Sequence, residues 1–541
     1  MTRRAEALAA LALCLAAATA ARAQAPTDQL QQDQQQAQAP QPAPPPAAPL
    51  PGFTDQTNNL LTPPQNETAE PTPQAPIVSP VGATAGIAPI LPPAENANLS
   101  RVTELGVLLG AGETDNVGLT STNQQSQTIG LAGVDFDLKR AGPRLDANLV
   151  GDFDYLDYFQ NAYGGQAIGR FDGLVDAKLL PGTLTWVAED DFGETQQNPL
   201  VPVVGTNLEN INVFSTGPNL VLRPLNDTLF ELGGRYALSD FEDSPDNGYR
   251  FLETATLERE LSPASDVSLN ANITQAHFDT TDVPCSEEET VALPSERVRC
   301  AGDVLVNTDF ERRNFYGSYN IVGVRTQISA QLGVSQVNEP GYWISTPLAQ
   351  LTLTRQISPR MSVNLSAGRV FTDALDSFRN LRAGAAGGIV IAPTTSISTG
   401  NYLSNYGSAG WSLDLHRTTF SLSARYERDS YVEHNQFDVR LASVQARAAR
   451  ALTSTLTAQL VASVTQTQYA QTPALVLPAG TLSEASRSDF GSVGGLLTWR
   501  LGRHVDTQLS YAHNFAGGHD AYTYSENRIF LIVAYHPPLN F

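Results

Sequence analysis

The sequence predicts an all-β fold: a transmembrane antiparallel up-and-down β-barrel of about 20 strands, range about 18–22, preceded by a Gln/Pro-rich segment. Three observations predict it. Apolar and polar residues alternate with period two over successive segments of roughly ten residues. Short and long connectors between those segments alternate along the chain, as the turns and loops of outer-membrane barrels do. The chain ends on an aromatic residue, Phe541.

Residues 1–23 read as a signal peptide. Arg3 and Arg4 supply the positive start, ALAALALCLAAATA the apolar stretch, and Ala21-Arg22-Ala23 the small-x-small cleavage site. Cys14 follows Leu13, where a lipoprotein signal needs a small residue, so lipidation is rejected. The Arg pair is read as ordinary positive charge rather than a twin-arginine signal. The formal charge is −22, and removing three Arg and one Glu with the signal takes it to −24.

Residues 24–98 are rich in Gln, Pro and Ala, with no Lys or Arg and almost no aromatic residues. Such a composition cannot bury enough apolar surface to offset ordering entropy, so the segment is expected to be disordered and periplasmic. From residue 99 to residue 541 the texture is that of a barrel.

Four segments show the pattern. In 144–155, Leu145, Ala147, Leu149, Gly151, Phe153 and Tyr155 share one face, and Asp146, Asn148, Asp152 and Asp154 the other. In 170–179, Phe171, Gly173, Val175, Ala177 and Leu179 oppose Arg170, Asp172, Asp176 and Lys178. In 420–427, Phe420, Leu422, Ala424 and Tyr426 oppose Ser421, Ser423, Arg425 and Glu427. In 455–464, Leu456, Ala458, Leu460, Ala462 and Val464 oppose Thr455, Thr457, Gln459 and Ser463.

A soluble β-sandwich alternates too. The connectors argue for the barrel. Turns at 141–143, 180–183, 262–265, 358–360 and 501–504 alternate with polar loops near 113–126, 192–210, 239–248, 280–308, 372–402, 469–485 and 516–526. An even strand count puts both ends of the barrel in the periplasm. At the C-terminus Ile529, Leu531, Val533, Tyr535 and Leu539 share the face of Phe541. That set, with Tyr535, Leu539 and Phe541 as its core, resembles the signal read by the barrel assembly machinery.

Composition excludes other classes. The acidic balance lacks the basic footprint of a nucleic-acid partner. Mean hydropathy is −0.18, and no window beyond the N-terminus carries the roughly 18 apolar residues of a membrane helix. A barrel strand shows lipid only every second side chain, so the outer membrane and its lipid stay open as the location and partner. The two mature cysteines, Cys285 and Cys300, flank one polar segment and are expected to form a disulfide in an oxidising compartment.

The stretch VTELGVLLGAGETDNVGL (102–119), with the following hairpin TIGLAGVDFDLKRAGPRLDANLVGDFDYLDY (128–158), resembles the outer-membrane β-barrel porin families encoded beside exopolysaccharide and exosortase genes in proteobacteria. The resemblance implies an outer-membrane barrel and a role in polysaccharide export or capsule biology. A polysaccharide or its export proteins would then be partners.

With the apolar faces toward lipid, the other faces line the lumen. The candidates are Asp135, Asp137, Lys139, Asp146, Asp152, Asp154, Arg170, Asp172, Asp176, Lys178, Glu189, Asp191, Glu231, Arg235, Arg425 and Glu427. Eleven of the sixteen are acidic, and carboxylates lining a pore favour cations. The plainer reading is that these charges pair with nearby Arg and Lys and brace a wall. Aromatic residues near strand ends (Tyr155, Tyr158, Phe159, Tyr342, Trp343 and Tyr431) are expected to form belts at the headgroups.

Enzyme signatures are weak. There is no G-x-S-x-G, and the seven histidines (277, 416, 434, 504, 513, 519 and 536) are scattered. His513 and His519, with Asp520, flank a loop and are read as solvated rather than metal-binding, so no cofactor and no metal are expected. The sequence therefore reads as a channel. The alternatives are a structural or surface-display barrel without transport and, last, an outer-membrane hydrolase.

Overall fold

A computed structural model describes residues 101–541 apart from 161–164, 197–207, 243–246, 280–289, 292–298, 301–308, 340–341, 374, 377–400, 433–437, 470–486, 518–522 and 538–541. The signal peptide and the Gln/Pro-rich segment lie outside the described residues. So do Cys285, Leu539 and Phe541, and with them the disulfide and the terminal signal.

Alternation with β-branched and aromatic residues builds the strands in order. They are β1 (Arg101–Thr114), β2 (Gln127–Arg140), β3 (Leu145–Tyr158), β4 (Gln166–Leu180), β5 (Leu184–Gln196), β6 (Leu208–Leu225) and β7 (Thr228–Phe241). Then come β8 (Gly248–Ser262), β9 (Ser265–Phe278), β10 (Thr290–Val291), β11 (Arg299–Cys300), β12 (Phe310–Val322), β13 (Thr326–Glu339), β14 (Tyr342–Ser358) and β15 (Met361–Thr372). The last are β16 (Tyr402–Leu415), β17 (Thr418–Tyr431), β18 (Val439–Ala451), β19 (Leu456–Tyr469), β20 (Arg487–Arg500), β21 (Val505–Gly517) and β22 (Tyr524–Tyr535).

β10 and β11 pair with each other as a small hairpin between β9 and β12. The other strands form one 20-stranded antiparallel sheet. Each pairs with its chain neighbour, β9 pairs with β12, and β22 returns to β1. Closure pairs the strands on both edges, which is the condition for a sheet to stand in hydrocarbon. The barrel strands run 12 to 18 residues, longer than the ten-residue periodicity, because tilted strands overrun the apolar band at both ends.

All the tight turns read from sequence lie at one end. At 180–183 the turn follows from Pro181 and Gly182: Pro fixes φ at the second position, Gly182 takes φ +76°, and Thr183 N–H donates to Leu180 O at 2.9 Å. The opposite end carries the long connections. One exception is the two-residue link at 340–341 between β13 and β14. β1 starts, and β22 finishes, at the tight-turn end.

The outward parity is apolar and exposed. Leu269, Leu332 and Leu460 are 64%, 70% and 65% exposed. Outward charges such as Asp240, Glu253, Arg428 and Arg440 sit toward the long-connection end and bound the apolar band. Leu332, about midway along β13, is therefore a test of lipid contact. Leu332→Arg is expected to cost about 2–4 kcal/mol of unfolding free energy in lipid vesicles. An urea transition within 0.5 kcal/mol of the parent's, roughly the scatter expected of a surface site, would mean that this face does not meet lipid.

Candidate functional site

All sixteen charged residues selected by parity lie on the strand face opposite the exposed apolar one, toward the interior. On β2–β5 this face carries nine carboxylates (Asp135, Asp137, Asp146, Asp152, Asp154, Asp172, Asp176, Glu189 and Asp191) against Lys139, Arg170 and Lys178. The register sets like charges opposite one another: Asp135 faces Asp152, Asp146 faces Asp176, and Asp172 faces Asp191. Like charges directly opposite destabilise a sheet, so such a wall favours positive charge against it, and His536 stands 3.9 Å from Asp135.

Some of the charges brace the wall. Lys139 pairs with Asp137 at 2.8 Å, Lys178 with Asp146 at 2.6 Å, and Arg425 with Glu427 at 2.7 Å. Arg170 stands opposite Asp152. Arg235 donates to the carbonyl oxygens of Pro218 and Gly234. Glu231 and Arg235 share the inner face of β7 with buried Ala237 and Ser239. Three bases cannot neutralise nine acids, so the β2–β5 sector keeps a negative excess. On the other side of the β1–β22 pairing, the inner face of β19–β21 carries Gln459, Ser463, Thr465, Ser492, Gln508 and Asn514, with Arg500 paired to Asp506 near the tight turns.

Burial changes along the barrel axis. In the tight-turn half the inner side chains of β2, β4 and β7 are part-exposed, as at Asp135, Asp137, Asp172, Asp176 and Glu231, whereas Asn219, Ser268, Gln459 and Gln508 at the same end of other strands are buried. In the long-connection half inner side chains are buried, as at Leu156, Tyr158, Ala237, Arg250, Arg312 and Phe530. The part-exposed stretch of the inner wall is thus acidic and lies along β2, β4 and β7 at the tight-turn end.

Two connections turn inward there. The first, 115–126, follows β1. Val117 is buried against Leu108, Ile129, Leu156 and Ile532, and Leu119 against Tyr524. Leu119 and Asn123 hold positive φ (45° and 57°), a strain that a non-glycine residue keeps only when its surroundings enforce it. At Leu119 Asn116 enforces it, accepting from Leu119 N–H with its carbonyl, donating its side-chain amide to Thr120 O and Ser525 O and accepting from Thr120 N–H. These residues are the ETDNV stretch, whose side chains tie β1 to β22.

The second begins where β15 ends. Asp373 accepts from Arg250 of β8 at 2.9 Å and from Arg312 of β12 at 3.0 Å. Arg312 also pairs with Asp376. Asp376 N–H donates to Asp373 Oδ1, closing the turn. Leu375 packs on Ile211, Val213 and Phe241 of β6 and β7. Arg250 rests against the rings of Phe278 and Phe310. Burial alone would raise the Asp373 carboxyl, but the two guanidiniums outweigh it and hold it down to about 2.

This quartet was not among the residues singled out from sequence. Parity marks Arg250 and Arg312 as inward, yet nothing local shows that they meet a loop 61 to 123 residues away.

The aromatic expectation divides. Tyr155, Phe159 and Trp343 are exposed on the outward parity, as a belt requires, whereas Tyr342, also exposed, stands on the inward parity at the end of β14. Tyr158 and Tyr431 are buried on the inner face, one residue out of phase with the belt, because adjacent positions of a strand point to opposite sides. Tyr431 instead packs on Tyr402. Among the described residues no group of three or more His, Cys, Asp or Glu is placed to hold a metal. His513 bonds Asn527, and His434, His519 and Asp520 lie outside the described residues.

A closed antiparallel barrel with an apolar exterior and a charged, part-hydrated interior is a transmembrane β-barrel of the outer-membrane type. Among solved structures it is similar to the FrpB iron transporter from Neisseria meningitidis (F5-1 variant). That likeness has a TM-score of 0.43 and 11% identity, covering 80% of this chain and 82% of that one. It is also similar to the siderophore receptor PirA from Acinetobacter baumannii, with a TM-score of 0.44 and 9% identity over 82% and 81% of the two chains. Likeness at this level says nothing of what this chain carries. No family model matches the chain, and no curated protein does. The resemblance to the exopolysaccharide-associated porin families therefore rests on the 102–119 and 128–158 stretches alone.

Proposed function

We propose that this protein is an outer-membrane channel of porin type that passes small solutes passively and favours cations. The observation that supports the reading most is the inner wall of β2–β5, with nine carboxylates against three bases and like charges face to face. Such a wall attracts cations and repels anions at short range.

Single-channel recording of the refolded full chain in a planar bilayer, under a salt gradient, tests it. The expected result is stable openings with a reversal potential on the cation side. Neutralising Asp135, Asp152, Asp172 and Asp191 together to Asn is expected to cut the cation-to-anion permeability ratio severalfold, more at low salt than at high. Anion preference, or silence from a folded barrel that persists when substitutions release its inward turn at 373–376, would end the reading.

Export of a polysaccharide would call for inward aromatic rings open to the lumen. Tyr402 and Tyr431 point inward but are buried against each other, while Tyr316 and Tyr342 are inward and not buried. It is the acidic wall, rather than these scattered rings, that favours small solutes as the reading we keep.

A further inference from the structure

Twenty strands about 4.8 Å apart, tilted by about 40°, would enclose a circle about 40 Å across. β8 and β15 are five strands apart around the ring, and β6 and β15 are seven. On such a circle those separations are chords of about 28 and 35 Å. Yet Asp373, one residue past the end of β15, touches Arg250 of β8 at 2.9 Å. Leu375, two residues further, lies against Ile211 of β6. Three residues of extended chain reach only about 10 Å. The section at this level is therefore not a circle: the chain leaving β15 crosses the interior, and the walls on either side come together around it.

We propose that Asp373, Leu375 and Asp376 form a latch that holds this crossing in place, and that the crossing, rather than the barrel wall, sets the narrowest section of the channel. The inference rests on the channel reading above. Its two anchors differ in kind. One is ionic: Arg250 and Arg312, both buried, converge on Asp373, and Arg312 also takes Asp376. The other is apolar: Leu375 fills a site built by Ile211, Val213 and Phe241 on the far wall. A merely structural loop would be free to pack on its own side of the rim. Pinned on one side by Arg250 and Arg312 and on the other by β6 and β7, residues 373 to 376 narrow the lumen for as long as both anchors hold.

The ionic anchor is also costly unless complete, since a buried charge that loses its partner is strongly disfavoured. The latch should therefore give way as a unit rather than loosen by degrees.

The test is the unit conductance of the full-length parent, of Asp373→Asn with Asp376→Asn, and of Leu375→Gln. Leu375→Gln releases the apolar anchor without stranding a buried guanidinium, so it serves if the double variant fails to fold. Conductance at least about twofold above the parent in either variant supports the latch. A silent parent with conducting variants supports it too, with the latch closing the channel fully. Equal conductance in the parent and in both folded variants overturns the latch and leaves the channel reading standing. Silence from all three, each folded by heat-modifiable migration, overturns both.

Discussion

Glu526→Ala combined with Asp115→Ala is expected to open the barrel at its seam at markedly lower temperature than the parent. The seam is the sheet's shortest long-range pairing: β1 and β22 share eight registers, Val107 with Tyr535 through Thr114 with Arg528, whereas β1 and β2 share fourteen. Side chains make up the difference. Thr114 Oγ1 donates to Glu526 Oε1 at 2.7 Å, and Asn514 Nδ2 donates to Glu526 Oε2 at 2.9 Å. Asp115 accepts from the backbone N–H and the side-chain amide of Asn527, both at 2.7 Å. Glu526, Thr114 and Asn514 are all buried.

Losing Glu526 strands a buried hydroxyl and a buried amide, at about 1–3 kcal/mol for each unsatisfied group. Losing Asp115 removes two further bonds from an N–H at the strand edge. Together the expected loss is about 3–6 kcal/mol. Gel migration without boiling, after stepwise heating, reads it directly. A transition temperature within about 2 °C of the parent's would show that the backbone ladder alone closes the barrel, since a loss near 1 kcal/mol already shifts a larger domain by that much.

Arg312→Ala is expected to cost about 3–5 kcal/mol, the range for breaking a buried ion pair from one side. It leaves Asp373 and Asp376 buried with only Arg250 to share. Relief comes from expelling the segment, so the variant should combine lower stability with higher conductance. Acid should do the same to the parent at a defined pH. Asp373 is held near 2 in the folded barrel against an ordinary 3.8. A carboxyl depressed in the folded state stabilises it fully above its unfolded value and loses that contribution as pH falls through its folded value.

The conductance ratio of the parent to Asp373→Asn cancels titration of the acidic wall. Asp376, which burial pushes above the ordinary carboxylate range, titrates earlier in both proteins, so the Asp373 contribution shows as the ratio approaching one while pH falls from about 4 toward 2. The groups facing Asp373 across the latch are Arg250, Arg312 and Asp376. A ratio that reaches one near pH 6 would mean that Asp373 is not held by both guanidiniums.

Much of the barrel was legible because its signal is local. Period two at 145–155 and 170–179 fixes which side chains share a face, and closure into 20 strands then needs only that the segments keep coming. The tight turns were legible for the same reason, through Pro181 and Gly182. The acidic face of β2–β5 followed by parity. Three connections at the long end (159–165, 340–341 and 432–438) were less visible, being too short to stand out from the strands they join. Tyr158, Tyr342 and Tyr431 fall on the inward side for want of phase, since closeness to a strand end says nothing of which side a ring takes.

The sequence by itself determined the class of fold, the parity of each strand and the sign of charge on the inner wall. These depend on neighbours one and two residues apart. Only the tertiary structure decided what the inner residues meet: that Asp135 faces Asp152, that the ETDNV stretch reaches residues more than 400 positions away, and that Arg250 and Arg312 converge on Asp373 just past β15. The reason is geometric. Parity tells a side chain to point inward, but its partner is set by register, closure and the curvature of the whole ring, which no local pattern encodes.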